Sequence, residues 1–324
     1  RMLITFINHP EVFRTLFLFK VPYLIFDLGC AFLLLSIFQN QKKGLNAFIF
    51  WMVNPIVIFA TYIAARYECI CIFFILLSLY YAKNNMFIKS LLFFGGSIII
   101  RLYPLILLPF FIIILGKNVG EYLKLAFWGL LPLGTITVLD RLFHRVGEVG
   151  GLMKMHHANY LLTMKFYMGH LKDYIFIFVA AYGFLLLYTY FTTAHSFKNL
   201  RKTLLMRMLL FFATCFFHAH YFMWLIPFLT LQIVEDRRFI GLFIIQVLCF
   251  IVYTFQWKET FANLLFTPLN PSYFMSLRTS FEIINQYYPI ANFIGIFRSI
   301  FSGVSLYMIY LVFKSSFPVK KEAR

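Results

Sequence analysis

The sequence predicts an all-α fold, a polytopic helical membrane protein with about eleven transmembrane helices, and three observations predict it. Of 324 residues, 62% are hydrophobic and only 13% charged, with a mean hydropathy of +0.81. That is more apolar surface than a soluble domain of this length can bury. Apolar runs of about 18–25 residues recur along the chain, the length that crosses about 30 Å of hydrocarbon as a helix. The period-two alternation of a barrel strand is absent, and backbone groups inside lipid must be satisfied within the segment, so helices remain.

Spans are expected at about 15–38, 46–63, 68–82, 87–100, 103–116, 121–139, 174–193, 204–218, 221–234, 239–256 and 288–313. The second carries Asn54-Pro55; Pro55 has no N–H and disturbs the helix, which a neighbour such as Asn54 can repair. The third opens on Glu68, where a carboxylate suits a helix N-terminus. The fifth opens at Tyr103-Pro104, with proline at a helix-start position. The chain, 1–324, reads as one membrane domain whose long outer loops lie at about 140–173 and 257–287. These loops hold acids, histidines, Pro and Asn, as in "HHANY" and "FTPLNPSYF", and long loops in a compact fold are commonly functional.

The formal net charge of +17 has to be placed before it is interpreted. One set of short connections holds Lys42, Lys43, Lys83, Lys89, Lys117, Lys124, Lys198, Arg201, Lys202, Arg207, Arg237, Arg238, Lys314, Lys320, Lys321 and Arg324, sixteen cations against four acids. The other side holds ten cations and seven acids, mostly in the two long loops. This is the positive-inside pattern, which puts the first set and the C-terminus in the cytoplasm. Basicity therefore sets topology, and without a basic face interleaved with aromatics a nucleic-acid partner is excluded. Eleven spans then put the N-terminus outside. No export signal precedes it in "RMLITFINHPEVF", so at least one further span and outer loop are expected upstream of residue 1. The five cysteines show no CxxC or Cys/His spacing, which supports neither a disulfide framework nor a zinc site.

Four charged or Pro-marked span ends stand out. In "FLFKVPYLIFDLG", Lys20 and Asp27 are seven residues apart and share a helix face. Snorkelling explains Lys20 equally well, and an interhelical hydrogen bond Asp27. "FWMVNPIVIFATYIAARYE" ends in Arg66 and Glu68, "GGSIIIRLYPLILLPFF" carries Arg101, and "HAHYFMWLIPF" carries His218, His220 and Tyr221. Capping, interface anchoring and an aromatic belt account for each separately. Together they place Lys20, Arg66, Glu68, Arg101, His218 and His220 at one outer level. A cationic cluster with a carboxylate there suits an anionic, lipid-linked substrate.

In that order these segments resemble the GT-C superfamily of membrane glycosyltransferases, and are most similar to mannosyltransferase-like members that use polyprenyl-phosphate sugars. The resemblance runs from residue 17 to about 230. Where the family shows Gly-Gln-Phe-Asp, this chain has Ala65-Arg66-Tyr67-Glu68; Arg101 stands for a family Lys, and Ala219-His220-Tyr221 for Pro-Gln-Tyr. The family's usual catalytic acid lies in a first outer loop that would precede residue 1.

The resemblance implies transfer of one hexose, with mannose suggested, from a polyprenyl-phosphate donor to a hydroxyl of a glycan, lipid or protein acceptor. It places the reaction on the extracytoplasmic or luminal face of the plasma membrane or endoplasmic reticulum. A carboxylate would act as base, with Glu68 as the catalytic candidate orienting the acceptor or that base, and Arg66 keeping it ionised. Arg101, Lys20, Arg66, His220, Tyr221 and Asp27 are candidates to bind substrate, the cations stabilising the leaving phosphate. A divalent metal is compatible with the family, but no ligand set is legible. Two other classes stay open: a transporter or flippase of lipid-linked saccharide, which would carry inverted repeats with broken helices, and a non-catalytic subunit.

Overall fold

The computed structural model describes residues 11–143, 158–169, 173–261, 263–267 and 269–316. Arg145, Lys154, Lys172, Lys320, Lys321, Arg324 and the "HH" of the first outer loop lie outside the described residues. Helix α1, Val12–Ile37, is followed by α2, Gln41–Met52, and α3, Pro55–Ile58, which runs into a wide π turn at Phe59–Ile63. Next come α4, Glu68–Lys83, and α5, Phe87–Ile100. A 3-10 turn, Tyr103–Ile106, leads into α6, Leu108–Leu115, and then α7, Val119–Leu142.

After the short α8, Ala158–Leu161, strands β1, Lys165–Tyr167, and β2, Tyr174–Phe176, form an antiparallel hairpin with Phe166 opposite Ile175. The chain continues through α9, Ile177–Thr192, and α10, Phe197–Thr214. A second 3-10 turn, Ala219–Trp224, precedes α11, Ile226–Glu235, and α12, Arg238–Thr254. The outer segment after α12 folds into a 3-10 turn, Phe255–Phe261, and short helices α13, Asn263–Phe266, α14, Pro271–Ser276, and α15, Ser280–Asn285. The long α16, Ile290–Ser316, closes the described fold.

Each predicted apolar segment is largely helical, and among the described residues this membrane protein is all-α apart from the small hairpin, whose second strand opens the 174–193 segment. The helix lengths do not amount to eleven crossings. Among the described residues four helices are long and apolar enough to span: Phe17–Ile37, Val119–Leu142, Arg238–Glu259 and Ile290–Ser315. The pair Gln41–Met52 and Pro55–Ile63, bent by 44°, makes a fifth if counted as one span. Two of the remainder fall short because a hydropathy window merges a short helix with the broken turn beside it. Residues 103–116 are a 3-10 turn plus the eight-residue α6, and residues 221–234 are likewise a turn leading into the ten-residue α11. At 1.5 Å per residue these two helices reach about 12 and 15 Å.

Packing follows two groups. α1 lies against α2 and α4, α4 against α5, and α5 against α7, while α10 and α12 both pack on α16. α5 and α7 approach closely through Gly95 and Gly129: a methyl group added at Gly95 would meet the Pro132 ring at 2.8 Å. Small residues permit such contacts where lipid gives no hydrophobic drive to helix pairing.

Buried polar groups tie helices together. Asp27 is 1% exposed and accepts hydrogen bonds from Trp51 Nε1 (2.8 Å) and Tyr62 OH (2.6 Å), joining α1 to α2 and to the π turn. Gln246 on α12 donates to Ser305 on α16 at 2.9 Å. Arg298 of α16 donates to the Cys215 carbonyl at 2.8 Å, satisfying a group left open at the end of α10. Arg207 corrects the sequence analysis, which placed it among the cations of a connection. It lies inside α10 and is 1% exposed, donating to Leu185 O (2.6 Å) and Thr189 Oγ1 (2.9 Å) while its guanidinium stacks 4.0 Å from the Phe110 ring. Charge spacing alone cannot tell a helix interior from the end of a connection.

Candidate functional site

Three breaks in helical structure meet at one place. The first is the turn at residues 64–67, where α4 begins on Glu68 after Ala65 takes a left-handed backbone, φ 49°. The second is Arg101, extended at φ −147° and ψ 140°, which ends α5. The third is the turn Ala219–Trp224 ahead of Pro227. Each break turns a side chain inward that a continuous helix would have pointed elsewhere.

Glu68 sits at the junction and is fully buried, 0% exposed. Arg101 reaches it with two bonds, Nη2 to Oε1 at 2.5 Å and Nε to Oε2 at 3.3 Å. Trp224 Nε1 donates to Oε2 at 2.7 Å. A paired guanidinium and an indole N–H are what a buried carboxylate requires, since an uncompensated charge there is very costly. The Arg101 side chain keeps 20% of its surface open, and its guanidinium stacks 4.1 Å from the Tyr67 ring. The charge is thus held between carboxylate and aromatic face with an edge free.

A column of rings continues from this pair. Tyr103 stacks on Trp224 at 3.9 Å with 8° between planes, and Trp224 on Tyr221 at 4.0 Å with 20°. His220 Nε2 lies 3.7 Å from Glu68 Oε1, and its Nδ1 is buried without a hydrogen-bond partner. Burial, with Arg66, Arg101 and His218 nearby, pushes the His220 imidazole down to about 3. It is neutral at physiological pH, so the contact with Glu68 is dipolar and not a second ion pair. His218 stands parallel to His220, ring centres 5.9 Å apart, and its Nε2 lies 3.2 Å from Tyr160 OH. Trp257, whose ring centre is 6.0 Å from that of His218, brings the outer segment to the same place. Glu259 there lines a polar cavity of about 710 Å³ with Arg278, Glu282 and Gln286.

Of the residues named from sequence, the structure brings together Glu68, Arg101, His220 and Tyr221. Arg66 is exposed at the rim; the close partner of Glu68 is Arg101. Lys20 is half-buried on α1. Tyr23 O lies 3.8 Å from Cys69 Sγ, so Lys20 sits about one turn further along α1. Asp27 is deeper, with each of its two oxygens accepting a hydrogen bond. Sequence reasoning gave no role to Tyr67 or Tyr103, and took only the aromatic-belt reading for the segment "HAHYFMWLIPF" that holds Trp224. The usable signal was that an indole N–H placed beside a span-breaking proline needs an acceptor. Among the described residues no three His, Cys, Asp or Glu side chains converge to hold a metal ion.

Comparison with known proteins agrees with the membrane setting. A family model described as GPI transamidase subunit PIG-U matches residues 2–214, which includes α1 to α10 and two of the three breaks. GPI mannosyltransferase 1 of Kluyveromyces lactis is 28% identical over 147 residues, 42% of this chain and 34% of that protein. The chain thus spans about a third of the length of the curated relative it matches. No solved structure matches the chain.

Proposed function

Because this chain belongs to the PIG-U family, we propose that it is a membrane subunit of a GPI transamidase assembly, holding a lipid-linked glycan at the Glu68–Arg101 site. The observation that carries this reading is that both oxygens of Glu68 are occupied. A general base must reach the proton it removes, whereas Glu68 is 0% exposed with both oxygens turned to Arg101 and Trp224. In this reading Glu68 is a positioning residue. It fixes the open edge of Arg101 for a phosphate, and it anchors the buried column of Tyr103, Trp224 and Tyr221 that backs the site. Arg66 at the rim adds charge, with Tyr221 packed behind it and Lys20 half-buried further along α1.

The test is retention of a GPI glycolipid by the purified chain in nanodiscs. Arg101→Gln should weaken retention about tenfold, and Arg101→Lys should keep part of it, because a point charge remains while the bidentate geometry is lost. Equal retention by all three proteins would assign Arg101 to packing alone.

A second reading is favoured by the likeness to GPI mannosyltransferase 1: hexose transfer from a polyprenyl-phosphate donor in the endoplasmic reticulum membrane. It requires a base outside the cluster, and in it Glu68 orients the acceptor. Both readings keep eleven apolar segments in the bilayer, the bent and short ones as broken or re-entrant spans around the site, with the C-terminus cytoplasmic.

A further inference from the structure

Far from this site, at the other end of α5, the loop before that helix and the loop between α6 and α7 enclose a cavity of about 470 Å³. The fourteen residues of α5 put it about 21 Å from Arg101. Lys89, Lys117 and Lys124 line it, with Glu121, Phe87 and Leu115. All three lysines are exposed, and among the described residues none of their ammonium groups forms an ion pair with a carboxylate. The one acid present is withdrawn from them: Glu121 Oε2 accepts the Lys117 backbone N–H at 2.8 Å, and the Glu121 N–H donates to Asn118 Oδ1 at 2.9 Å, a reciprocal cap on α7.

Three ammonium groups without an ion-pair partner around one cavity repel one another, Lys89 being met only by the Tyr81 ring at 5.8 Å, and an anion relieves that repulsion. The apolar wall of Phe87 and Leu115 does nothing for a small soluble anion. The next turns of α7 present Val119, Leu123 and Phe127, each at least 60% exposed. A ligand that joins a phosphorylated head to hydrocarbon chains uses both features, and basic pockets at helix ends are where such headgroups bind.

We propose that this cavity binds the phosphorylated headgroup of an anionic phospholipid, with its acyl chains along the exposed face of α7. The full chain is reconstituted in phosphatidylcholine nanodiscs doped with phosphatidylinositol 4-phosphate, and lipid retained after extraction is measured by native mass spectrometry. The phosphorylated lipid should be retained over phosphatidylcholine. Lys89→Gln, Lys117→Gln and Lys124→Gln should each weaken retention about fivefold, and all three together about a hundredfold. The triple Lys→Arg variant should retain the lipid, which separates lost charge from lost folding. Lys42→Gln with Lys43→Gln, on another basic connection, should change nothing. Undiminished retention by the glutamine variants, equal retention of phosphatidylcholine, or displacement of the lipid by millimolar inorganic phosphate alone would overturn the proposal.

Discussion

Replacing Glu68 by Gln turns one carboxylate oxygen into an NH2 whose protons must face either the Arg101 guanidinium or the Trp224 indole, both of them donors. The variant leaves Arg101 partly buried beside Tyr67 without its counter-charge. Breaking a buried pair in this way costs about 3–5 kcal/mol, and the 20% open Arg101 side chain puts the expected loss at the lower end. Thermal unfolding of the purified chain should show a clear drop for Glu68→Gln, with a smaller one for Trp224→Phe, which keeps the ring stack and loses one N–H. Unchanged midpoints in both would mean that the cluster contributes nothing to the fold. His220 gives a test by pH. Its folded value of about 3 lies below the ordinary value near 6.5, so stability is undiminished above about 6.5. It declines as pH falls toward 3, because the unfolded chain takes up a proton that the folded one refuses. The slope is at most about 1.4 kcal/mol per pH unit, and His220→Gln should flatten it between pH 6 and 4. Identical acid profiles would show that His220 is not buried neutral.

Ala65 and Gly95 decide how the helices meet. Ala65 occupies the left-handed region at φ 49°, which costs a residue with a Cβ about 1–2 kcal/mol. The GT-C pattern that the turn resembles has Gly at this position. Ala65→Gly should therefore stabilise the chain by up to about 1 kcal/mol, less the extra entropy of glycine in the unfolded state. A lower unfolding midpoint would contradict the turn geometry. Gly95→Ala should cost about 1–3 kcal/mol, since the added methyl meets the backbone of α7 and the Pro132 ring. Gly96→Ala next to it meets only the Phe74 ring at 3.3 Å, which can yield, and should be mild. At this scale the sequence was informative where a residue type carries a backbone rule. Pro104 and Pro227 marked two of the three breaks, and Glu68 marked a helix start. It was uninformative where apolar residues continue through a break, so residues 103–116 and 221–234 read as whole spans. It also misled at Arg207, because a cation within an α-helix has the same spacing as one at its end.

Across the whole molecule, the convergence of the three breaks was legible as a level in the membrane but not as a set of contacts. The charges at Arg66, Glu68, Arg101 and His220 pointed to one height. Which of them pair depends on how α4, α5 and the 219–224 turn pack, and no local pattern encodes that. Arg101 took the partner role expected of Arg66 for this reason. The topology also belongs to this scale. Reporter fusions at Lys43 and Lys320 should both read cytoplasmic if the lysine-rich connections face inward, and an outside signal at either overturns that orientation. The cluster is proposed to hold a lipid-linked glycan without itself transferring sugar. Holding without transfer is tested most directly by incubating the purified chain in nanodiscs with labelled polyprenyl-phosphate mannose and a GPI glycolipid, scoring retained glycolipid and labelled product together. Retention should fall in Arg101→Gln, with no labelled product from any variant. Labelled product formed by the wild-type chain and abolished by Glu68→Gln, at equal glycolipid retention, would contradict that role.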